Sequence, residues 1–452
     1  MKSDFQVKKG DIIKIISDRL NRSRGVEFEI FFSQKKVLSL EIKDGQVDHF
    51  RSSREVGLAL RVLDGGRLGF SYVFGPTPDS LIWSTEKAVK LASQADFDPI
   101  YAFPPAERLD TLDLCLFDRG LSKIGKKEKI GLVREMEDSA LGADSRIKKV
   151  RKAEYEEITN HISIINSKGL DLEREGTIIT MALMVLAEEN KDSEMGWEFD
   201  YARIYGDIDP VKIGNSAAKR GISRLGGRGI STRTCPAVLE NRVVCDLLCA
   251  WSPSFFGENV YKGKSLLKDK INQIIASPRI QVIDDGQYPR GLGSAPFDDE
   301  GTAQKRTVLV KDGRLLSYLF DRYWSLKTGS ELTGNSVRDK ISAPPSTSIS
   351  NLFISPGSLS FDQLIATMDK GFLINELMGV HLIDPVSGEF SLGASGIWIE
   401  KGMTVFPVKG VTISGSLHDL FSTVEELGSD LRFFGRVGAP SLFLREIIIS
   451  GP

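Results

Sequence analysis

Four cysteines and four histidines are the scarcest reactive side chains in this sequence, and their spacing limits what they could do. Cys245 and Cys249 stand one helical turn apart, so their thiolates could supply half of a metal site. No His and no third Cys lies near them, so two buried apolar thiols are the favoured reading. His418-Asp419 follows Ser414 and Ser416, the residue types of a nucleophilic triad. Triad members come from separate segments, however, and no Gly-x-Ser-x-Gly elbow accompanies these. Ser416-Leu417-His418-Asp419 fits a helix start equally well. His49, His161 and His381 are isolated, and surface or strand positions explain them.

Asp298-Asp299-Glu300 gathers carboxylates that could bind a hard cation. It lacks the glycine-punctuated alternation of a calcium loop, so a solvated turn is expected. Thr333-Gly334-Asn335 combines a hydroxyl, a flexible backbone and an amide. Such a loop could present donors and acceptors to a peptide main chain, or form an ordinary polar turn. Lys123, Lys126, Lys127 and Lys129 make a basic cluster broken by Glu128, with no aromatic residues interleaved. That is unlike a single-strand binding surface and predicts a solvated helix start. Neither a Gly-x-Gly-x-x-Gly after a strand nor a Walker loop occurs, so nothing supports a nucleotide site.

The chain that must position these groups has 452 residues, too many for one ordinary core, and two domains are expected. With 41% hydrophobic and 27% charged residues it has the composition of a soluble globular protein. A net charge of −2 and a pI near 6.2 provide no global basic field for nucleic acid. The polar N-terminus has no apolar core for a signal peptide, and no apolar run reaches the ~18 residues of a membrane span. The cysteines are too few and too scattered for a disulfide framework, and reduced thiols in a cytoplasm are expected.

Apolar spacing predicts helices over 11–20, 80–95 and 126–141, and another over 209–225 with Asp207 as its cap and Pro210 in its first turn. Between them lie strands. Val26 to Phe32 alternates with charged Glu27 and Glu29, and Leu38 to Ile42 and Gln46 to Phe50 flank Asp44-Gly45. Gly57 to Leu63 and Arg67 to Phe74 flank Asp64-Gly65-Gly66. Further strands are expected over 148–157, 162–167, 170–173, 177–188 and 197–204. Gly226-Gly227-Arg228-Gly229 is the candidate boundary between domains 1–228 and 229–452. The second half shows two helical stretches, 240–250 and 361–368, among short strands and glycine-rich turns. The expected fold is α+β: an N-terminal antiparallel sheet with helices, then a β-rich sandwich or barrel-like domain.

An ordered set of segments in the second half resembles the TldD/PmbA family, formerly described as modulators of DNA gyrase. The set begins with Asp284-Asp285-Gly286, Ser294 through Gly301 and Lys311 through Leu319. It continues with Leu332-Thr333-Gly334-Asn335, Ile354-Ser355-Pro356-Gly357 and Glu376-Leu377-Met378-Gly379. Gly393 through Glu400 and Phe406-Pro407-Val408 through Leu417 complete it. The first half is similar more loosely, through its early helix and the Gly57 to Val62 strand. The resemblance implies a cytosolic peptidase assembly in which TldD-like and PmbA-like (TldE) subunits pair and process unfolded or extended peptides. On that basis Glu300, Gly301, Thr333, Gly334 and Asn335 become candidates for peptide binding.

In the TldD branch, a helix of the second domain carries His-Glu-x-x-x-His, and a later Cys adds a third zinc ligand. Two His side chains about a turn apart can grip one ion, and the Glu serves as general base for its water. Here Cys249 stands at the first His, Ala250 at the Glu and Ser254 at the second His. Pro253 disfavours continued helix, and no Cys follows Cys249. The resemblance therefore implies a PmbA/TldE-like chain with no catalytic residues and no metal of its own, and zinc in a TldD-like partner. A homodimer of the isolated chain stays open. The rival readings are an independent peptidase with ligands from distant segments and a binding regulator of a DNA-processing enzyme.

Overall fold

A computed structural model describes residues 9–20, 25–43, 45–106, 109 and 112–452. Helix α1 (Lys9–Leu20) precedes strands β1 (Glu27–Lys43), β2 (Gln46–Asp64) and β3 (Arg67–Phe74), and α2 (Pro78–Gln94) follows them. After an irregular stretch come α3 (Lys126–Ala143), strands β4 (Ile147–Asn166), β5 (Asp171–Glu189) and β6 (Asp192–Ala202), and α4 (Pro210–Ile222). The strands form one antiparallel half-barrel sheet, ordered β3-β2-β1-β4-β5-β6. Two hairpin-connected triplets thus join along β1 and β4.

The strands are longer than their apolar pattern suggests. Ser33 to Lys36 continues β1, because each residue pairs with both β2 and β4. The first ten residues of β2 are exposed, so no burial pattern marks them as strand. Of the Asp44-Gly45 turn, Asp44 lies outside the described residues. The cap of α4 is Asp209, which accepts from the backbone N–H of Lys212, and not Asp207, which lies in a preceding 3-10 turn. The basic cluster is not wholly solvated. Lys129 is buried, with its ammonium 2.6 Å from Glu157, which Tyr155 also bonds.

One face of the sheet is covered by its own helices. Ile16, Leu81 and Ala88 pack on Leu58 and Leu60, and Val133, Met136 and Ala217 pack on Met181 and Leu183. The other face meets the second half of the chain, where Phe31, Ala59, Ile164 and Leu170 bury Phe297 and Ile341.

That half opens with β7 (Arg233–Leu239), α5 (Asn241–Trp251), a 3-10 turn over Ser252–Phe255 and α6 (Gly257–Tyr261). Short strands β8 (Val282–Asp285), β9 (Arg306–Lys311) and β10 (Arg314–Leu315) follow, then α7 (Arg322–Thr328), β11 (Ser336–Val337), β12 (Ser346–Thr347) and β13 (Leu352–Ile354). Helix α8 (Phe361–Ala366) leads into β14 (Lys370–Met378), β15 (Glu389–Glu400) and β16 (Met403–Ser416). The chain ends with α9 (Leu417–Ser422), β17 (Val424–Leu427), β18 (Arg432–Phe434), β19 (Val437–Ala439) and β20 (Leu442–Ser450). Strands β16, β15, β14, β7 and β20 close into a barrel through the β16–β20 pairing. A second sheet runs β10-β9-β8-β13-β19-β18. One core joins both layers, with Trp251 and Phe255 from the α5 region against Phe421, and Phe372 and Trp398 inside the barrel.

Candidate functional site

Asp298, Asp299 and Glu300 do not form a solvated turn: all three are buried where the second half meets the sheet. Carboxylates tolerate such burial only when paired and hydrogen-bonded, and the partners come from far away in sequence. Glu300 accepts from Arg61 of β2 at 2.8 Å and from the backbone N–H of Arg322 at 3.2 Å. Arg61 also forks onto Glu29, its directly opposite neighbour on β1, at 2.9 and 2.5 Å. Arg338 reaches the same Glu29 at 2.5 Å, and Arg174 of β5 pairs with Asp299 at 2.5 Å. This fork-to-carboxylate lattice stitches the two halves together.

Burial opposes the Glu300 charge, but Arg61, the Arg322 N–H and Arg338 together outweigh it and hold the carboxyl below its ordinary value of 4.5. Asp298 goes the other way. Burial, and then the charge of Glu300, pushes it up to about 8, against three backbone N–H groups, of Thr302, Ser336 and Glu300, that favour its anion. Asp321, capping α7, rises to about 6 through burial and Glu300.

The Thr333–Asn335 loop lies against this turn. Thr333 accepts from the N–H of Phe320 at 2.7 Å and donates to its carbonyl at 3.0 Å. Asn335 donates to buried Asp284 at 2.7 Å and to the Ser348 carbonyl at 3.1 Å. Gly334 has φ +72°, and a Cβ there would lie 2.4 Å from the Ala303 carbonyl oxygen. Gly301 has φ +82°, and a Cβ there would lie 2.5 Å from Leu170. The structure therefore does bring Glu300, Gly301, Thr333, Gly334 and Asn335 together, and Glu300, Thr333 and Asn335 bond to other parts of this chain.

Cys249, Ala250 and Ser254 lie elsewhere, at the end of α5. The helix stops at Trp251, and Pro253 sits inside the 3-10 turn that follows. Cys245 is buried with its sulfur 3.7 Å from the Arg432 carbonyl, while Cys249 is exposed, not buried as its apolar context suggests. Ser254 is buried, and its carbonyl accepts from Ser265. A thiol, a methyl and a hydroxyl at these places do not make the donor set a tetrahedral zinc needs. Among the described residues, no three His, Cys, Asp or Glu side chains group as metal ligands. The Ser/His/Asp alternative dissolves as well: Ser416 caps α9 through Asp419, and the His418 ring meets the Ile275 carbonyl.

Between the sheet and the second half lies a cavity of about 330 Å³, whose walls include Ile158, Asn160, Arg174, Arg203, Ser336 and Arg436. A larger groove of about 1080 Å³ shares Arg174, Glu175 and Leu116 with it and runs along the irregular Leu112–Phe117 segment. Sequence reasoning missed Glu29, Arg61, Arg174, Arg203, Arg338 and Arg436. Glu29 had looked like half of an outward polar alternation, yet it is fully buried. The one available signal was a charge amid the apolar run Phe28 to Phe32.

Comparison with known proteins gives these features a family. Three descriptions match in succession: PmbA/TldA metallopeptidase domain 1 over 28–92, central domain over 119–225 and C-terminal domain over 232–451. The first two share the single sheet of the first half. Metalloprotease PmbA of Escherichia coli O157:H7 is 28% identical over 426 residues, covering 94% of this chain and 92% of its own. A Metalloprotease TldD homolog of Haemophilus influenzae is 26% identical, over 95% of this chain and 94% of its own. A crystal structure from Thermotoga maritima, of a candidate modulator of a DNA gyrase, superposes with a TM-score of 0.89 at 26% identity, covering 98% of this chain and 100% of that one. The fold and the ordered run of domain matches agree, and this chain belongs to the PmbA/TldD metallopeptidase family.

Proposed function

We propose that this chain is a PmbA/TldE-like subunit that pairs with a TldD-like, zinc-bearing partner in the cytoplasm, and that the pair processes unfolded or extended peptides. The observation that carries the proposal is the end of α5. Where the zinc-bearing branch needs two imidazoles and a carboxylate, this chain has Cys249, Ala250 and Ser254, with Pro253 ending the helix between them. The names of the relatives attach metalloprotease activity to both PmbA and TldD chains. A pair in which one chain supplies the metal accommodates both names and the donor set found here. The groove beside the sheet supports peptide handling, since it is open and partly apolar. None of the five candidates Glu300, Gly301, Thr333, Gly334 and Asn335 lines the groove or the cavity; in this reading they brace Asp298, Asp299 and Ser336, which line the cavity.

Sedimentation of the purified chain, alone and mixed with a TldD-like subunit, tests the pairing. A new species of summed mass is expected. Two folded chains that sediment independently at tens of micromolar would refute it. The DNA-regulator reading makes a different demand, salt-dependent retention on duplex DNA.

A further inference from the structure

We propose that the cavity between the sheet and the second half is a carboxylate-binding pocket that receives the C-terminal end of an extended peptide lying in the adjoining groove. The proposal rests on the reading of this chain as a peptide-handling subunit and adds what part of the peptide it recognises.

Arg203 lies just beyond β6 and lines the cavity. Its side chain is buried, yet every hydrogen bond it makes is to a carbonyl: of Thr177 at 3.0 Å, of Gly291 at 2.8 Å and of Leu292 at 2.8 Å. Among the described residues no carboxylate pairs with it. Burial, and then the neighbouring Arg436 and Arg174, pulls its pKa down to about 10. Such a cation is costly without an anion nearby. Arg436, unlike Arg203, is exposed, and it lines the rim of the same cavity. It sits in the turn between β18 and β19, which Tyr201 pins to the sheet through the Gly435 carbonyl, and no carboxylate among the described residues bonds it. Lys35, from the strand opposite, completes the positive wall.

The acidic groups lining the cavity do not balance these. Asp299 already serves Arg174 and the Arg338 backbone, and Asp298 is turned onto backbone N–H groups. Glu175 is exposed, and it lines the groove as well as the cavity. Two orphaned polar atoms lie in the same wall, the Oγ of Ser336 and an Nη of Arg338. The charge left over is positive and lines the cavity.

Shape selects the ligand. The cavity, at about 330 Å³, is at the lower end of small-ligand pockets, roughly 300–1,000 Å³, and suits a chain terminus better than a whole peptide. The groove that shares Leu116, Arg174 and Glu175 with it presents Leu112, Phe117 and Pro296, surfaces for side chains of an extended strand. Planar guanidinium groups match a planar carboxylate, and capture of a terminal carboxylate is a recurring mode of peptide recognition.

The test uses the full chain and an N-terminally labelled, otherwise uncharged octapeptide of alternating valine and serine. It is made as the free acid and as the C-terminal amide, and binding is read by fluorescence anisotropy. The free acid is expected to bind about tenfold or more tightly than the amide. Arg436→Gln, at an exposed position, is expected to remove that preference; Lys35→Gln provides a second variant should the first misfold. Equal binding of acid and amide would overturn the pocket and leave the peptide-handling reading standing. Binding of neither, alone or with a TldD-like partner, would overturn both. Displacement of the free acid by micromolar inorganic phosphate would reveal a phosphate site and also overturn the proposal.

Discussion

Replacing Glu300 with Gln keeps the volume of the side chain and removes its charge at the centre of the buried lattice. Two donors converge on this carboxylate, the Arg61 guanidinium at 2.8 Å and the Arg322 N–H at 3.2 Å. The amide offers one oxygen, so one donor is left facing an NH2 group, at about 1–3 kcal/mol. Breaking one side of a buried ion pair costs about 3–5 kcal/mol in all. Some of this returns, because Glu300 contributes to the raised carboxyls of Asp298 and Asp321. The net expectation for Glu300→Gln is a loss of about 3 kcal/mol in urea titration at pH 7. The pH dependence sharpens the test. Glu300 titrates below 4.5 when folded, so its contribution is present above that value and lost as pH falls through the depressed one. Asp298 is raised from 3.8 to about 8, so its contribution is present at low pH and is lost as pH rises between those values. Glu300→Gln should remove the Glu300 share of the acid-side loss and move the Asp298 titration, followed by carboxyl NMR, downward from about 8. A stability change under about 0.5 kcal/mol with an unmoved Asp298 would refute the reasoning that the lattice holds the two halves together.

Other perturbations probe the rest of the account. Gly334→Ala forces an L side chain into a φ of +72° against the Ala303 carbonyl, and should cost about 2 kcal/mol, read by thermal melting. Glu198 receives Arg220, Arg242 and Arg432 at 3.1, 2.7 and 3.3 Å, and Glu198→Gln should cost about 3 kcal/mol. Burial opposes the Glu198 charge, but the arginines hold its carboxyl below 4.5, so the wild-type contribution disappears as pH falls below that value, while the variant should lack this acid-side loss. Installing Cys249→His, Ala250→Glu and Ser254→His together should not yield a chain with stoichiometric zinc by elemental analysis, because the chain still lacks a third ligand and a continuous helix at Pro253.

Much of the scaffold was legible because local signals set it. Helical apolar spacing located α1 to α5, and turn glycines marked the connections β1–β2, β2–β3, β4–β5, β9–β10 and β15–β16. What local signals could not show was which polar residues are interior. Asp298-Asp299-Glu300 reads as solvent-facing until Arg61, Arg174 and Arg338 arrive from elsewhere in the chain, the first 239 residues away from Glu300. Lys129 reads as solvated until Glu157 meets it across α3 and β4. The middle of β1 escaped notice for a related reason: its pairing with two neighbours, not apolarity, keeps Ser33 to Lys36 extended. The helix-end substitutions at Cys249, Ala250 and Ser254 were readable at once, since a missing ligand type needs no geometry. The cavity could not be read, because its walls come from both halves.

The most direct test of the central claim is zinc content and peptide cleavage measured on this chain alone, on a TldD-like subunit alone and on their mixture. The account predicts a metal-free, inert chain whose addition produces a zinc-bearing mixture that cleaves extended peptides. Stoichiometric zinc and chelator-sensitive cleavage by this chain alone would contradict it.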